Sequence, residues 1–244
     1  MWPAPSSARC AGRRVSVLMR LPLVALTATL IGCAGFGAGP REGQETTAAS
    51  ESALYLDAVR ALIGQGQFYA AIAHIEEDRR LYGDTAELRL LEADARRSLK
   101  QNKASEALYR GVLSRAGRGP LAGKARHGLG LLYAPVNLSA ALIELREASR
   151  LRPTDAAIRS DLGFALMQVR RFSEARVELA TASELAPDNI AARNNLLILL
   201  YVLGDDSSAQ RLAARSQVDA ALLARLKSQA QSFKTVKPAA ARAG

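Results

Sequence analysis

The chain has 244 residues, with 33 Lys and Arg against 23 Asp and Glu, and a formal net charge of +10 at neutral pH. This length fits a single domain. Its two cysteines and two histidines are too few for a disulfide framework or a Cys/His zinc site. Aromatic residues make up only 5% of the chain and are not interleaved with the basic ones, so no nucleic-acid-binding module is predicted.

The first 32 residues have the pattern of a signal peptide. They carry four arginines and no acidic residue, and they end in an apolar run at 21–32. Twelve residues are too few to span a bilayer, which needs about 20, but they suit the apolar core of a signal peptide. Residues 1–32 are therefore predicted to be removed, and the sequence leaves the true start open between Met1 and Met19.

The apolar run leads into Leu-Ile-Gly-Cys at 30–33, which resembles the lipobox of bacterial lipoproteins. The resemblance implies cleavage just before Cys33 and a diacylglyceryl group on its thiol; the alternative is an ordinary signal peptide with an incidental cysteine. Ala34 stands where an Asp tends to retain such lipoproteins at the inner membrane. The resemblance therefore implies an anchor on the periplasmic face of the outer membrane. No other cysteine would remain, and the net charge would fall to +6.

The mature chain is predicted to have three parts. Residues 33–50 are rich in Gly, Thr and Glu and poor in apolar side chains, which is typical of a flexible tether. Residues 51–231 carry periodic apolar residues and form the folded body. Residues 232–244 are basic and Ala-rich, and we expect them to be a disordered tail.

A helical hairpin signature organises the body at 155–187. Small residues stand where two antiparallel helices would approach most closely, and large apolar residues would fill the seam between them. A proline, which has no amide hydrogen, ends the second helix. This spacing resembles the tetratricopeptide repeat (TPR). The residues that carry the resemblance are Leu162, Gly163, Leu166, Phe172, Ala175, Leu179, Ala182 and Pro187.

The same signature recurs along the body. Aligning the chain on an alanine of each second helix gives steps of 36, 34, 34 and 34 residues. A single hairpin cannot bury its apolar face, so such hairpins stack. We predict an all-α TPR solenoid of about five helical hairpins, plus a C-terminal capping helix at about 218–231. The aligned alanines are Ala71, Ala107, Ala141, Ala175 and Ala209.

No residues are arranged in a pattern that predicts catalysis. His74 and His127 lack a second ligand at metal-binding spacing, and no nucleophile-and-base set, phosphate loop or dinucleotide fingerprint occurs. We therefore predict a protein that is not an enzyme, with no catalytic residue, metal, cofactor or small-molecule substrate.

Binding of proteins is the predicted activity. In TPR arrays the first helix of each hairpin lines a concave groove, and here that groove would be basic near the middle and apolar toward the C-terminal end. Such a groove suits a peptide with acidic and apolar side chains. The alternative is that Phe164 and Ile198 pack against a neighbouring repeat or the final helix. The predicted groove residues are Arg89, Arg96, Lys124, His127, Ser160, Phe164, Met167, Gln168, Asn194, Ile198 and Tyr201.

The stretches 161–166, 172–176, 185–189 and 192–196 most resemble TadD-like TPR lipoproteins of the Flp/Tad (tight adherence) pilus assembly system. The resemblance implies an outer-membrane lipoprotein facing the bacterial periplasm, which binds the secretin or other pilus-assembly subunits. Three alternatives remain open: a pilotin-like lipoprotein of type IV pili, a general scaffold of the envelope, and a TPR-fused enzyme.

Overall fold

A computed structural model describes the backbone of residues 42–235 and the side chains from Glu51 onward, except that of Ser52. Eleven helices and no strand occur in this range. The helices are α1 (Glu42–Gly64), α2 (Phe68–Tyr82), α3 (Ala86–Ser98), α4 (Asn102–Ala116), α5 (Pro120–Tyr133), α6 (Leu138–Leu151), α7 (Ala156–Gln168), α8 (Phe172–Leu185), α9 (Ile190–Leu203), α10 (Asp206–Arg215) and α11 (Ala220–Thr235).

Ten of these helices form five consecutive hairpins, and α11 follows them. Each hairpin packs on the next through its second helix, as α2 does on α3 and α8 on α9. The first helices also pack side by side, as α1 does on α3 and α7 on α9. The prediction of an all-α array of about five hairpins with a final helix is therefore confirmed.

The ends of the predicted segments differ from the observed elements. Helix α1 begins at Glu42, inside the segment 33–50 predicted as a tether, and α11 continues to Thr235, past the predicted end of the body at 231. The predicted signal peptide at 1–32, the lipidation site at Cys33 and the tail beyond 235 lie outside the described residues.

Short polar side chains fix where several helices begin. The Asn137, Asp155 and Asn189 side chains each accept a hydrogen bond from a backbone amide in the first turn of the helix that follows. Thr85 and Asp205 do the same for α3 and α10. These bonds satisfy amides that have no partner within the helix, so the caps set the helix register.

Four of the five hairpin turns share one left-handed residue. Gly66, Lys100, Arg170 and Gly204 all have φ between 62° and 76°. The next amide then bonds a carbonyl five residues back, as Gln101 N does to Arg96 O at 2.9 Å, which is the Schellman pattern of helix ends. In the third hairpin Ala134 is right-handed and Pro135 follows it, so this turn is built differently.

The position of closest helix approach corrects the alignment of the second hairpin. Ala71, Ala141 and the other aligned alanines are fully buried, but Ala107 is exposed. Ser105 takes its place, three residues into α4, and its hydroxyl donates to the carbonyl of Ala93 at 2.8 Å. The prediction for Ala107 was wrong because the small residue of this repeat is a serine, and because α5 and the turn after it are together two residues longer than α3 and its turn.

The buried apolar residues form three separate clusters. The largest joins α6 to α11 and includes Leu166 and Leu199. A second joins α3, α4 and α5 around Tyr109, and a small third one joins α1, α2 and Leu88 of α3. Each hairpin therefore depends on its neighbours for burial, as in other repeat arrays.

Candidate functional site

The first helices of the hairpins form one surface, here called the inner face, which consists of α1, α3, α5, α7 and α9. A central cleft of about 260 Å³ opens on this face. Its floor includes Leu90, Leu91 and Gly128. Six charged or titratable side chains surround this floor: Arg60, Glu87, Asp94, Lys124, His127 and Asp155.

Two of the acidic groups in the central cleft are already engaged within the chain. Asp94 accepts the hydroxyl hydrogen of Tyr109 at 2.5 Å, and burial raises the pKa of Tyr109, so this phenol stays neutral. Asp155 caps α7 and accepts a bond from Arg152 at 3.0 Å. Burial acts to raise the pKa of Asp155, but the bonds from Arg152 and from the Ile158 amide, together with the nearby positive charge, lower the pKa overall.

The central cleft is joined to a second one by a pair of side chains. His127 Nε2 on α5 lies 2.7 Å from Asp161 Oδ2 on α7. Asp161 also lines the second cleft, of about 390 Å³, together with Phe164, Asn194 and Ile198. The His127–Asp161 pair therefore lies between the two clefts on the inner face.

Helix α11 covers the C-terminal end of the inner face. The Phe233 ring meets Phe164 of α7 edge-on, with centroids 6.1 Å apart. Lys227 Nζ lies 5.6 Å from the centre of the Tyr201 ring on α9. Leu226 and Gln229 of α11 also border the second cleft.

The structure brings five of the predicted groove residues to these clefts. Lys124 and His127 line the central cleft. Phe164, Asn194 and Ile198 line the second one, although Ile198 is only 2% exposed.

Four other predicted groove residues line neither of these two clefts. Met167 is fully buried, Ser160 and Tyr201 are 2% and 8% exposed, and Gln168 is exposed at the C-terminal end of α7. Met167 is in the apolar cluster because α7 is apolar on nearly all sides, so the sequence pattern did not distinguish its inner face from its core face.

Arg89 and Arg96 are placed differently from the prediction, because acidic side chains of the same region bind them. Arg89 Nε donates to Asp84 at 2.9 Å. Arg96 Nε donates to the buried Glu92 at 2.7 Å, and Arg79 of α2 bonds the other oxygen of Glu92 at 2.6 Å. Arg79 therefore joins α2 to α3, while nearby carboxylates engage Arg89 and Arg96. The basic groups of the central cleft are instead Lys124 and Arg60, of which Arg60 is paired with Asp57.

Sequence reasoning missed several polar residues of the inner face. Arg60 and Asp94 are 34 residues apart, as are His127 and Asp161, and as are Asp161 and Asn195. Asn195 Nδ2 donates to Ser160 Oγ at 3.1 Å. A spacing of one repeat length places side chains on adjacent first helices, so this period was the signal that could have identified them.

Two kinds of feature do not occur within residues 42–235. In this part of the chain, no group of three His, Cys, Asp or Glu side chains is placed to hold a metal ion. None of its helices combines the length and the apolar character that a membrane span needs.

The fold and the inner face define a helical-repeat scaffold, and comparisons with known proteins identify its family. A tetratricopeptide repeat family model matches residues 137–197. A TPR repeat-containing protein of Pseudomonas aeruginosa is 38% identical over 217 residues, which cover 87% of this chain and 85% of that protein. The chain therefore belongs to the tetratricopeptide repeat family.

The solved structure of a thermophilic TPR protein supports this fold. A thermophilic TPR protein of Thermus thermophilus is 18% identical, with a TM-score of 0.55 over 76% of this chain and 100% of that one. An O-GlcNAc transferase mutant of Thermobaculum terrenum is 29% identical over 48% of this chain, with a TM-score of 0.44. This chain spans only 22% of the length of that enzyme.

Proposed function

We propose that this TPR protein is an adaptor that binds protein partners through the central cleft of its inner face. The observation that carries the proposal is the charge of that cleft. Lys124 is exposed, and no acidic side chain pairs with it among the residues that the structure describes. Asp94 and Asp155, by contrast, are already bonded to groups of the chain itself.

Among the described residues, the charged side chains of the central cleft that have no partner within the chain are Lys124 and Glu87, so the cleft is less negative than its composition suggests. Lys124 can meet a carboxylate, and the floor at Leu90 and Leu91 can meet an apolar side chain, whereas Arg60 is already paired with Asp57 at 2.5 Å. An extended peptide that carries both acidic and apolar residues fits this arrangement. The surrounding charges would mainly set which peptide binds and how fast it associates.

We further propose that the adaptor acts in the bacterial envelope, in assembly of the Flp/Tad pilus apparatus. Three features support this: the lipobox at 30–33, the TPR array, and the resemblance of residues 161–196 to TadD-like lipoproteins. The lipid on Cys33 would hold the repeats at the periplasmic face of the outer membrane, where a secretin is within reach. Two or more acyl chains suffice for a stable anchor.

Affinity capture from the native envelope tests the binding site. Wild type is compared with Lys124→Glu and with Lys103→Glu, a matched control on the exposed side of α4. We expect secretin and pilus-assembly subunits with wild type and with the control, and their loss with Lys124→Glu. Equal capture by both variants would refute the central cleft as the binding site. Capture of peptidoglycan synthases instead would favour a general envelope scaffold.

The anchor is tested separately with Cys33→Ser. Metabolic labelling with radioactive palmitate should mark the wild type and not the variant. The variant should also appear in the periplasmic fraction rather than in the outer membrane. Labelling of both proteins would exclude Cys33 as the lipidation site, without bearing on the central cleft.

A further inference from the structure

Helix α11 does not continue the stacking of the array. Elsewhere, each first helix packs closely on the second helix of the preceding hairpin, as α9 does on α8. Helix α11 packs on α9 instead, without comparable packing on α10 among residues 42–235. It therefore lies across the inner face, rather than where the first helix of a sixth hairpin would stand.

The contacts of α11 come from one apolar stripe. Leu226 and Ala230 are 5% and 1% exposed, and Phe233 is half-buried against Phe164. Their spacing of four and three residues places all three on one side of a helix. Partly buried Leu222 and Leu223 extend this stripe toward the start of the helix.

The remaining contacts of α11 are few and exposed. Lys227 Nζ is 3.6 Å from Asp206, and both side chains are more than half exposed. The backbone carbonyl of Phe233 accepts a bond from Arg170 at 2.9 Å. Exposed ion pairs add little to stability, so the apolar stripe provides most of the attachment.

The surface beneath α11 is not filled completely. The second cleft, of about 390 Å³, remains open along the edge of the helix, between Gln229 and the α9 side chains Asn194 and Asn195. The inner face therefore offers an apolar surface for one helix, with polar groups and the Asp161 carboxylate beside it. An amphipathic helix laid in a groove is a common mode of partner recognition.

We infer that the surface of α7 and α9 beneath α11 is a binding site for an amphipathic helix of a partner protein, and that α11 is its intramolecular occupant. The partner helix would carry apolar residues at positions equivalent to Leu226, Ala230 and Phe233, with a basic residue that meets Asp161 or Asp206. The inference rests on the proposed function, since it assigns a second recognition element to the same inner face.

Because α11 is part of the same chain, it competes with a partner helix for the surface of α7 and α9. A segment joined by a short linker has an effective concentration in the millimolar range, so α11 outcompetes a free helix of equal affinity. A partner therefore gains access only when it binds more tightly than α11, or when α11 is weakened. If the same partner also binds the central cleft, the local concentration of its helix near this surface rises in the same way.

The test uses a fluorescein-labelled synthetic peptide of residues 218–235, titrated with the full mature chain and followed by anisotropy. The peptide keeps Phe233, while the protein carries Phe233→Ala or, as a milder second variant, Lys227→Glu. We expect Phe233→Ala to bind the peptide about tenfold more tightly than wild type, because its own helix competes less. Adding Phe164→Ala should remove that gain.

The control is Val177→Ala, an exposed apolar residue on α8, which should bind the peptide as wild type does. Circular dichroism verifies that each variant is folded, and Lys227→Glu stands in if Phe233→Ala is not. Equal affinity for wild type and the α11 variants would overturn the inference and leave α11 as a cap. Lys124→Glu should not change peptide binding, so this result is independent of the central-cleft test.

Discussion

A β-carbon added to Gly128 would lie 2.2 Å from Cζ of the Tyr109 ring. Tyr109 is fully buried and joins three helices, because its ring lies against α5 and its hydroxyl reaches Asp94 of α3. Gly128 is also part of the floor of the central cleft. The close approach of these two residues therefore sets the position of the central cleft relative to the second hairpin.

Gly128→Ala should destabilise the protein by about 2 kcal/mol, because the added methyl group forces the Tyr109 ring out of its place. Urea unfolding followed by circular dichroism measures this loss. Gly111→Ala in α4 is the matched control, since a β-carbon there has no neighbour within 4 Å. It should stabilise the helix by up to about 1 kcal/mol. A loss of the same size at both positions would contradict the packing explanation.

The bonds of the ionised Glu92 should stabilise the protein at neutral pH, and this contribution should be lost in acid. Burial acts to raise the pKa of Glu92, but the bonds from Arg79 and Arg96 outweigh it and the pKa is lowered. A lowered pKa contributes stability above the unfolded pKa, which is lost as the pH falls through the folded value. Glu92→Gln should therefore cost about 2 kcal/mol at pH 7, and much less below pH of about 4.

Unfolding free energies at several pH values, for wild type and Glu92→Gln, measure this effect. The control is Glu77→Gln, since Glu77 pairs with Arg80 at the exposed surface and its replacement should change stability little at any pH. A Glu92→Gln difference that stays constant from pH 7 to pH 3 would show that the charge of Glu92 is not the cause.

Asp78, unlike Glu92, should make the protein less stable as the pH rises. It is 2% exposed on α2, and neither carboxylate oxygen has a hydrogen-bond partner in the part of the chain that the structure describes. Burial raises its pKa. Stability from a raised pKa is fully present below the unfolded pKa and is lost as the pH rises through the folded value.

Asp78→Asn should therefore match the wild type near pH 3 and be more stable by about 1 kcal/mol at pH 7. Thermal unfolding at the two pH values tests this. A variant that is less stable at pH 7 would mean that the carboxylate has a favourable partner.

Lys100 occupies the left-handed position of its hairpin turn, with φ of 62°. Lys100→Gly should stabilise the protein by about 1 kcal/mol, since glycine adopts this conformation without a steric penalty. Gly204→Ala is the reverse experiment at the equivalent turn, where a β-carbon would meet nothing within 4 Å. We expect a loss of similar size, measured by differential scanning calorimetry. A lower melting temperature for Lys100→Gly would show that the lysine side chain stabilises the turn.

The hairpin array could be predicted because its signals are local and repeated. The Leu-Gly pairs at 129–130 and 162–163 mark the same helix contact, since Gly130 meets Leu145 and Gly163 meets Leu179. The second hairpin was misaligned because Ser105 performs the role of an alanine through a hydrogen bond that the sequence does not reveal.

The inner face was harder to predict, because helix direction and charge pairing both depend on neighbours. Lys124 and His127 could be placed on it from their register alone. Arg96 could not, since the sequence gives equal weight to binding a ligand and to pairing with Glu92 four residues earlier. The position of α11 depends on packing with α7 and α9, which are far from it in sequence.

The three separate apolar clusters imply that this chain does not melt as one cooperative unit. The cluster around Val59 and Ile75 is the smallest and adjoins only the second hairpin. In a nearest-neighbour description of a repeat array, such a terminal element opens at a lower temperature than the interior. The first hairpin would then convert to extended chain under load. Its unfolding would remove Arg60 from the central cleft, while the second cleft, which is lined by residues of α7, α9 and α11, stays folded.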